Sequence, residues 1–149
     1  MNETMVKDNQ ILTTRVFKAP RELVYEVWTK PEHLDKWWGP NGFKNTFQEF
    51  DFRPGGHWRF IMHGPDGTDY QNHNVFKDIV KPERIVFEHT ASPHFVTTVL
   101  FEDLGKETKI HFRMEFDSAE ECKEISKYAV EGNKETLDRL EALLDQLVG

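Results

Sequence analysis

The C-terminal stretch, residues 118–149, constrains the fold most, because it is the only long segment of the sequence with helical periodicity. Ser118 and Glu121 have the spacing of a capping box, which predicts a helix start near Ala119. Apolar residues then recur at steps of three and four. They are Cys122, Ile125, Ala129, Leu137, Leu140, Leu144 and Leu147. We interpret this stripe as core packing rather than as a coiled coil or a membrane-surface helix, because residues 131–148 carry five acids and two bases.

Gly132 interrupts this pattern near the middle of the segment. A glycine inside a helix costs about 1 kcal/mol relative to alanine, because it loses more backbone freedom on folding. We therefore expect a break, a kink or a close contact at Gly132, with a short helix followed by a long one if the chain breaks there.

The chain before residue 43 predicts one strand and two short helices. Residues 11–18 are rich in β-branched and aromatic side chains, as strands are. Pro20 suits the first turn of a helix, and a second helix is predicted over residues 31–38, with a loose start because Lys30 is a poor N-cap. The buried face of the first helix would consist of Leu23, Val24, Val27 and Trp28.

Residues 43–117 contain six apolar-rich runs of strand length, separated by turn signals. Short turns imply that consecutive strands are antiparallel neighbours. We interpret Pro54-Gly55-Gly56 as a hairpin turn rather than a phosphate cradle, which would need a helix start after it. The run over residues 69–80 has no consistent alternation, which leaves room for a β-bulge.

Alternation in the other runs indicates a sheet with one dry and one wet face. Seven strands at about 4.8 Å spacing span roughly 30 Å, whereas one helix is about 10 Å across. The sheet should therefore curl round the C-terminal helix. The space between them is then either filled by aromatic residues or left as a pocket, and the chain has 12 Phe and 4 Trp to serve either arrangement.

Composition restricts the class of protein and its partners. A formal net charge of −7 without any run of Lys and Arg argues against nucleic acid as a partner. The single cysteine and the lack of a secretory signal favour a cytoplasmic location. No apolar run approaches the ~20 residues of a membrane span. We expect one domain over residues 1–149, in which residues 1–9 are flexible.

Four motifs, spread in order along the chain, resemble those of a known family. They are RVFKAPRELVYEVWTKPEHLDKWWGP at 15–40, DFRPGG at 51–56, PERIVF at 82–87 and EGNKETLDRL at 131–140. The sequence resembles bacterial and archaeal homologues of the heat-shock-protein-90 ATPase activator, in the START/Bet v 1-like (SRPBCC) superfamily. The resemblance implies an α+β helix-grip fold: a curved antiparallel sheet of six to seven strands round a long C-terminal helix, two short helices after the first strand, and a cavity between sheet and helix.

The sequence departs from the family pattern at two places. Lys30 replaces the aspartate that is common before Pro31, which weakens a helix cap. Asn72-His73-Asn74 replaces the glycine that is usual in the central strand, and it puts side chains where family members leave backbone room. Superfamily members share a shape but serve as lipid carriers, cyclases, hormone receptors and chaperone activators, so the resemblance determines the fold better than the function.

Twelve residues are candidates for lining a ligand cavity, although each could instead be plain core. Trp37 and Trp38 point about 100° apart on a helix, so one should be core and the other a rim residue. Polar residues aimed at the dry face carry more information, because an unpaired buried polar atom costs about 1 to 3 kcal/mol. The twelve are Trp37, Trp38, Trp58, Phe60, Phe87, His89, Phe95, Thr97, Phe112, Met114, Tyr128 and Asn133.

Three functions are compatible with these features. The first is binding of a small apolar or aromatic ligand in the cavity, and the second is a protein-binding module that resembles the chaperone activator. The third is a cyclase-like or hydrolytic enzyme that uses His89 or another buried polar group as acid or base. The spacing of the seven histidines does not favour a metal site, and no nucleophile motif or redox or nucleotide cofactor is indicated.

Overall fold

The computed structural model describes residues 2–148, which form an eight-stranded sheet and three helices. The elements in chain order are β1 (Asn2–Lys7), β2 (Gln10–Phe17), α1 (Arg21–Glu26), α2 (Pro31–Trp37), β3 (Lys44–Phe50), β4 (His57–His63), β5 (Asp69–Val80), β6 (Arg84–His89), β7 (Phe95–Asp103), β8 (Thr108–Phe116) and α3 (Ala119–Val148). None of the helices in this part of the chain is long and apolar enough to cross a membrane.

The sheet is antiparallel throughout, with the strand order β1-β2-β8-β7-β6-β5-β4-β3. It is curved, and the predicted α+β class is confirmed. The prediction of six to seven strands was one short, because residues 2–7, within the segment expected to be flexible, pair with β2. Residues 3–7 are exposed, so backbone hydrogen bonds rather than apolar burial hold this polar edge strand.

The predicted dry face of the sheet is buried, and rows of side chains run across it from strand to strand. One row joins Trp58, Asn74, His89 and Phe95, and the next joins Phe76, Phe87, Thr97 and Met114. The register shifts between Phe76 and Asp78, which confirms the bulge considered for this strand. These rows form the floor of the space under α3.

Helix α3 runs without interruption from Ala119 to Val148, so a break at Gly132, one of the three alternatives expected there, does not occur. The Thr136 hydroxyl donates to Gly132 O at 2.9 Å within this continuous helix. A Cβ at Gly132 would lie 3.6 Å from Pro40 Cγ, which is an ordinary van der Waals distance. The helix start is as predicted: Ser118 Oγ accepts a hydrogen bond from Glu121 N at 3.1 Å.

Helix α2 and the loop after it are fixed to the rest of the molecule by two side chains. Trp37 Nε1 donates to Val27 O at 3.1 Å, which joins α2 to the end of α1. Arg139 of α3 donates to Gly39 O at 2.8 Å and Pro40 O at 3.0 Å. The loop after α2 is therefore held against the middle of α3.

Candidate ligand-binding cavity

A cavity of about 210 Å³ lies between the concave face of the sheet and the first half of α3. Five strands, β4 to β8, contribute to its floor and walls, and α3 and the loop after α2 close the other side. The lining residues are Trp38, Gly39, Pro40, Phe60, Met62, Asn72, Asn74, Phe87, Phe95, Thr97, Phe112, Met114, Tyr128, Ala129, Gly132, Asn133 and Thr136.

Aromatic rings make the cavity wall stiff. The Trp38 ring is tilted against the Trp58 ring at 5.1 Å between centroids and meets Phe87 edge-on at 6.2 Å. Trp58 in turn stacks on Phe60 at 4.9 Å. Rings that pack on one another in this way hold their orientation, so the cavity keeps its shape without a ligand.

Two polar atoms on the cavity wall are buried and have no hydrogen-bond partner: Asn74 Oδ1 and Thr97 Oγ1. Asn74 is 2% exposed and Thr97 is 1% exposed. Leaving such an atom unpaired costs about 1 to 3 kcal/mol, and native proteins pair the large majority of their buried polar side-chain atoms. Both residues lie on the cavity, where a bound molecule can supply the missing partner.

Other polar side chains of the wall already have partners. Asn133 Nδ2 contacts Met114 Sδ at 3.4 Å, and Asn72 Nδ2 donates to Tyr70 O at 3.1 Å. Tyr128 is 66% exposed, which places it at the mouth of the cavity. None of the lining residues is charged at neutral pH. Residues 2–148 also contain no group of three or more His, Cys, Asp or Glu side chains that could hold a metal ion.

Nine of the twelve residues selected from the sequence line the cavity. They are Trp38, Phe60, Phe87, Phe95, Thr97, Phe112, Met114, Tyr128 and Asn133. The other three do not: Trp37 is fully buried against Trp28, Trp58 is buried and stacks on Phe60, and His89 contacts Asn72. The predicted division of the tryptophan pair therefore holds in the structure, with Trp37 in the core and Trp38 at the cavity.

His89 supports the wall instead of facing the cavity. Its ring stacks on Phe95 at 4.6 Å, with Nδ1 2.8 Å from Pro93 O and Nε2 3.1 Å from Asn72 Oδ1. Burial lowers the pKa of His89, and this effect outweighs the opposing hydrogen bond to Pro93. Since both ring nitrogens are engaged, His89 is poorly placed to act on a bound molecule as acid or base.

Sequence reasoning missed eight lining residues: Gly39, Pro40, Met62, Asn72, Asn74, Ala129, Gly132 and Thr136. The asparagines had no clear signal, because the bulge between Phe76 and Asp78 disrupts the alternation of residues 69–80. The lining residues of α3 did have a signal, because they lie on the inward stripe of the helix at positions that carry no leucine. No sequence signal indicated Gly39 and Pro40, because their position depends on hydrogen bonds from Arg139, which is distant in the sequence.

The curved antiparallel sheet, the long C-terminal helix and the cavity between them define a protein of the START/Bet v 1-like class. A family model described as Activator of Hsp90 ATPase homolog 1-like protein matches residues 18–145. The chain belongs to this family, as its sequence motifs predicted. Among curated proteins, none matches the sequence.

Solved structures of similar proteins share the whole fold. A protein from Arthrobacter aurescens is 25% identical with a TM-score of 0.89, over 98% of this chain and 91% of that one. A protein from Chromobacterium violaceum is 26% identical with a TM-score of 0.81, over 91% and 97%. The AHSA1 protein from Silicibacter pomeroyi is 20% identical with a TM-score of 0.78, over 92% and 98%. At these identities the likeness supports the architecture and leaves the ligand open.

Proposed function

We propose that the protein binds a small apolar or aromatic ligand in the cavity under the first half of α3. The observation that carries this proposal is a cavity with a largely apolar wall, which includes six aromatic residues, in which Asn74 and Thr97 retain unpaired polar atoms. Small-molecule sites have this composition, with apolar walls and few polar groups that orient the ligand. The family match supports the proposal at a coarser level, because the fold suits binding of a ligand or a protein.

The size of the cavity limits the ligand. A cavity of about 150 Å³ is large enough for benzene, whereas drug-sized ligands occupy pockets of about 300 to 1,000 Å³. The volume of about 210 Å³ therefore fits a substituted single ring or a short aliphatic chain. A long acyl chain would have to leave through the mouth beside Tyr128.

A substitution that fills the cavity tests the proposal. Ala129 lines the cavity from α3, so Ala129→Leu places additional methyl groups in it, whereas Ala142 is exposed on the same helix. We expect Ala129→Leu to weaken binding of toluene, measured by calorimetric titration, by about tenfold or more, and Ala142→Leu to leave it unchanged. Failure of toluene and its ring analogues to bind the wild-type protein would contradict the proposal, as would equal affinities in all three proteins.

We also propose a second function, binding of an Hsp90-type chaperone, which the family match over residues 18–145 favours. The outer sheet face carries charged and polar side chains that a protein partner could contact, among them Arg59, Glu49 and Lys77. The test is the ATPase rate of a purified chaperone in the presence of excess protein. An increased rate supports this function, and an unchanged rate together with the lack of binding in a pull-down contradicts it.

A further inference from the structure

We infer that the cavity selects uncharged ring compounds that carry a hydrogen-bond donor, as a phenol does. This inference rests on the ligand-binding function proposed above and adds the chemical class of the ligand. It is drawn from the chemistry of the two unpaired atoms, Asn74 Oδ1 and Thr97 Oγ1, and from the charge of the wall around them.

The two unpaired atoms favour a donor on the ligand. An amide oxygen only accepts hydrogen bonds, so Asn74 Oδ1 can be satisfied only by an N–H or O–H group. The Thr97 hydroxyl both donates and accepts, so a ligand hydroxyl satisfies it in either direction. A hydrocarbon ligand would fill the cavity but leave both protein atoms unpaired.

The two atoms belong to different parts of the wall. Asn74 lies in β5 opposite His89, and Thr97 lies in β7 opposite Phe87, so β6 separates them. Two strand spacings across the sheet and an offset of two residues along the strands place their backbones roughly 12 Å apart. A ligand can therefore engage either atom independently, and each residue requires its own test.

The wall also selects against charge. Its polar residues are asparagine, threonine and tyrosine, and its remaining residues are apolar or aromatic. An ionised ligand would lose its hydration in the cavity without meeting an opposite charge, which is strongly unfavourable. Neutral compounds should therefore bind in preference to carboxylates of the same size.

Three probes of similar size separate these effects at pH 7: toluene, phenol and benzoate. Phenol keeps its proton because phenolic pKa values are about 10, whereas benzoic acid is ionised because carboxyl pKa values are about 4. The variants are Thr97→Val and Asn74→Leu, which remove the polar atoms at similar side-chain volume, and Thr97→Ser, which keeps a hydroxyl. Thr13→Val is the matched control, because Thr13 is equally buried with an unpaired hydroxyl but does not line the cavity.

Calorimetric titration gives the ratio of phenol affinity to toluene affinity in each protein. We expect Thr97→Val or Asn74→Leu to lower this ratio about fivefold or more, and Thr13→Val and Thr97→Ser to preserve it. Benzoate should bind wild-type protein at least about tenfold more weakly than phenol. Amide NMR spectra of each variant verify that it is folded. Because only Asn74 Oδ1 demands a donor, Asn74→Ala takes the place of Asn74→Leu if that variant does not fold.

Each other outcome overturns a defined part of the account. If toluene and phenol bind but the ratio is the same in Thr97→Val, Asn74→Leu and wild-type protein, the donor inference is wrong while the proposed function stands. If benzoate binds as tightly as phenol, the selection against charge is wrong. If none of the three probes binds wild-type protein, the inference and the proposed function fail together.

Discussion

Two consecutive segments of the inward stripe of α3 differ in side-chain size, and this difference leaves room for the cavity. In the C-terminal segment, leucines fill the space against the sheet, and Leu137, Leu140 and Leu144 are at most 2% exposed. In the middle segment, the same stripe carries small or polar residues: Ala129, Gly132, Asn133 and Thr136. One continuous helix thus packs as a core element in one segment and forms the wall of a cavity in the other.

The comparison shows how a fold can keep its stability while leaving space for a ligand. Burial of each leucine in the C-terminal segment stabilises the fold by about 1.5 to 3 kcal/mol. The middle segment, residues 129–136, forgoes leucine burial and lies against a wall with unpaired polar atoms, which makes this region less stable than it could be. Natural proteins commonly retain unfavourable features of this kind where a function requires them.

The largest expected change in stability comes from a substitution that creates a void in the leucine-filled segment of α3. Leu140 is fully buried, so Leu140→Ala should lower the free energy of unfolding by about 2 to 5 kcal/mol, because it removes apolar contacts and leaves a void. Chemical denaturation measures this change. Leu147→Ala is the control: its side chain is 44% exposed, and a loss as large as that of Leu140→Ala would contradict the role of burial against the sheet.

A smaller change in stability, of opposite sign, is expected at the cavity wall. Thr97→Val removes an unpaired buried hydroxyl, so the unliganded protein should gain about 1 kcal/mol of unfolding free energy. Thr108 is the contrast, because its buried hydroxyl donates to Ala19 O at 2.7 Å, and Thr108→Val should lose about 1 to 3 kcal/mol. Denaturation curves that show a similar loss in both variants would mean that the Thr97 hydroxyl is already satisfied.

Gly132→Ala should stabilise α3 by about 0.5 to 1 kcal/mol, since alanine restricts the unfolded chain and favours the helix. Its Cβ would make only an ordinary contact with Pro40 Cγ at 3.6 Å. Gly56→Ala is the opposite case, because its Cβ would overlap Asp51 O, and it should destabilise the protein. Thermal unfolding of the two variants distinguishes these signs, and a destabilising Gly132→Ala would contradict the helix geometry described above.

The smallest expected effect is a dependence of stability on pH that arises at His94, in the loop that leads into β7. His94 contacts Glu88 at 2.7 Å and Asp117 at 2.8 Å, and these hydrogen-bonded carboxylates raise its pKa. The pKa of His94 is higher in the folded state than in the unfolded state. The stabilisation is therefore complete below the unfolded-state pKa and is lost as pH rises through the folded-state pKa. NMR titration should find His94 titrating above the ordinary histidine range and His89, whose pKa is lowered by burial, below it.

His94→Asn is the variant that checks this assignment. It should flatten the dependence of stability on pH between the unfolded-state and folded-state pKa values of His94. Since the side chain is 37% exposed, solvent screening keeps the effect small. If the free energy of unfolding depends on pH in the same way in His94→Asn and in the wild-type protein, the stabilising role of the ion pairs of His94 with Glu88 and Asp117 is wrong.

The sequence predicted most of the fold because its patterns are local. Alternation located the dry face, and periodicity with a capping box located the start of α3 within a residue. Strand β1 was missed because its stability comes from backbone pairing with β2, which leaves no apolar signal. The sequence left a break at Gly132 open, and it does not occur because packing of α3 against the interior offsets the low helix propensity of glycine.

The site was predictable to the extent that strand alternation aims side chains at one face. That rule found Phe60, Phe87 and Thr97, but it could not tell which inward residues face empty space and which face other side chains. Trp58 and His89 lie in the same row across the sheet as Asn74 and Phe95, yet they contact lining residues instead of lining the cavity themselves. Such distinctions depend on how distant elements meet, as Arg139 shows by holding Gly39 and Pro40 in place.

The measurement that tests the central claim most directly uses the methionine methyl groups. Met62 and Met114 line the cavity, whereas Met5 lies on the edge strand β1 and is 59% exposed. With 13C-methyl-methionine protein and toluene, we predict nuclear Overhauser effects from toluene to the Met62 and Met114 methyls and none to Met5. Saturating toluene that produces no such effect at Met62 or Met114, or the same effect at Met5, would contradict a ligand-binding cavity under α3.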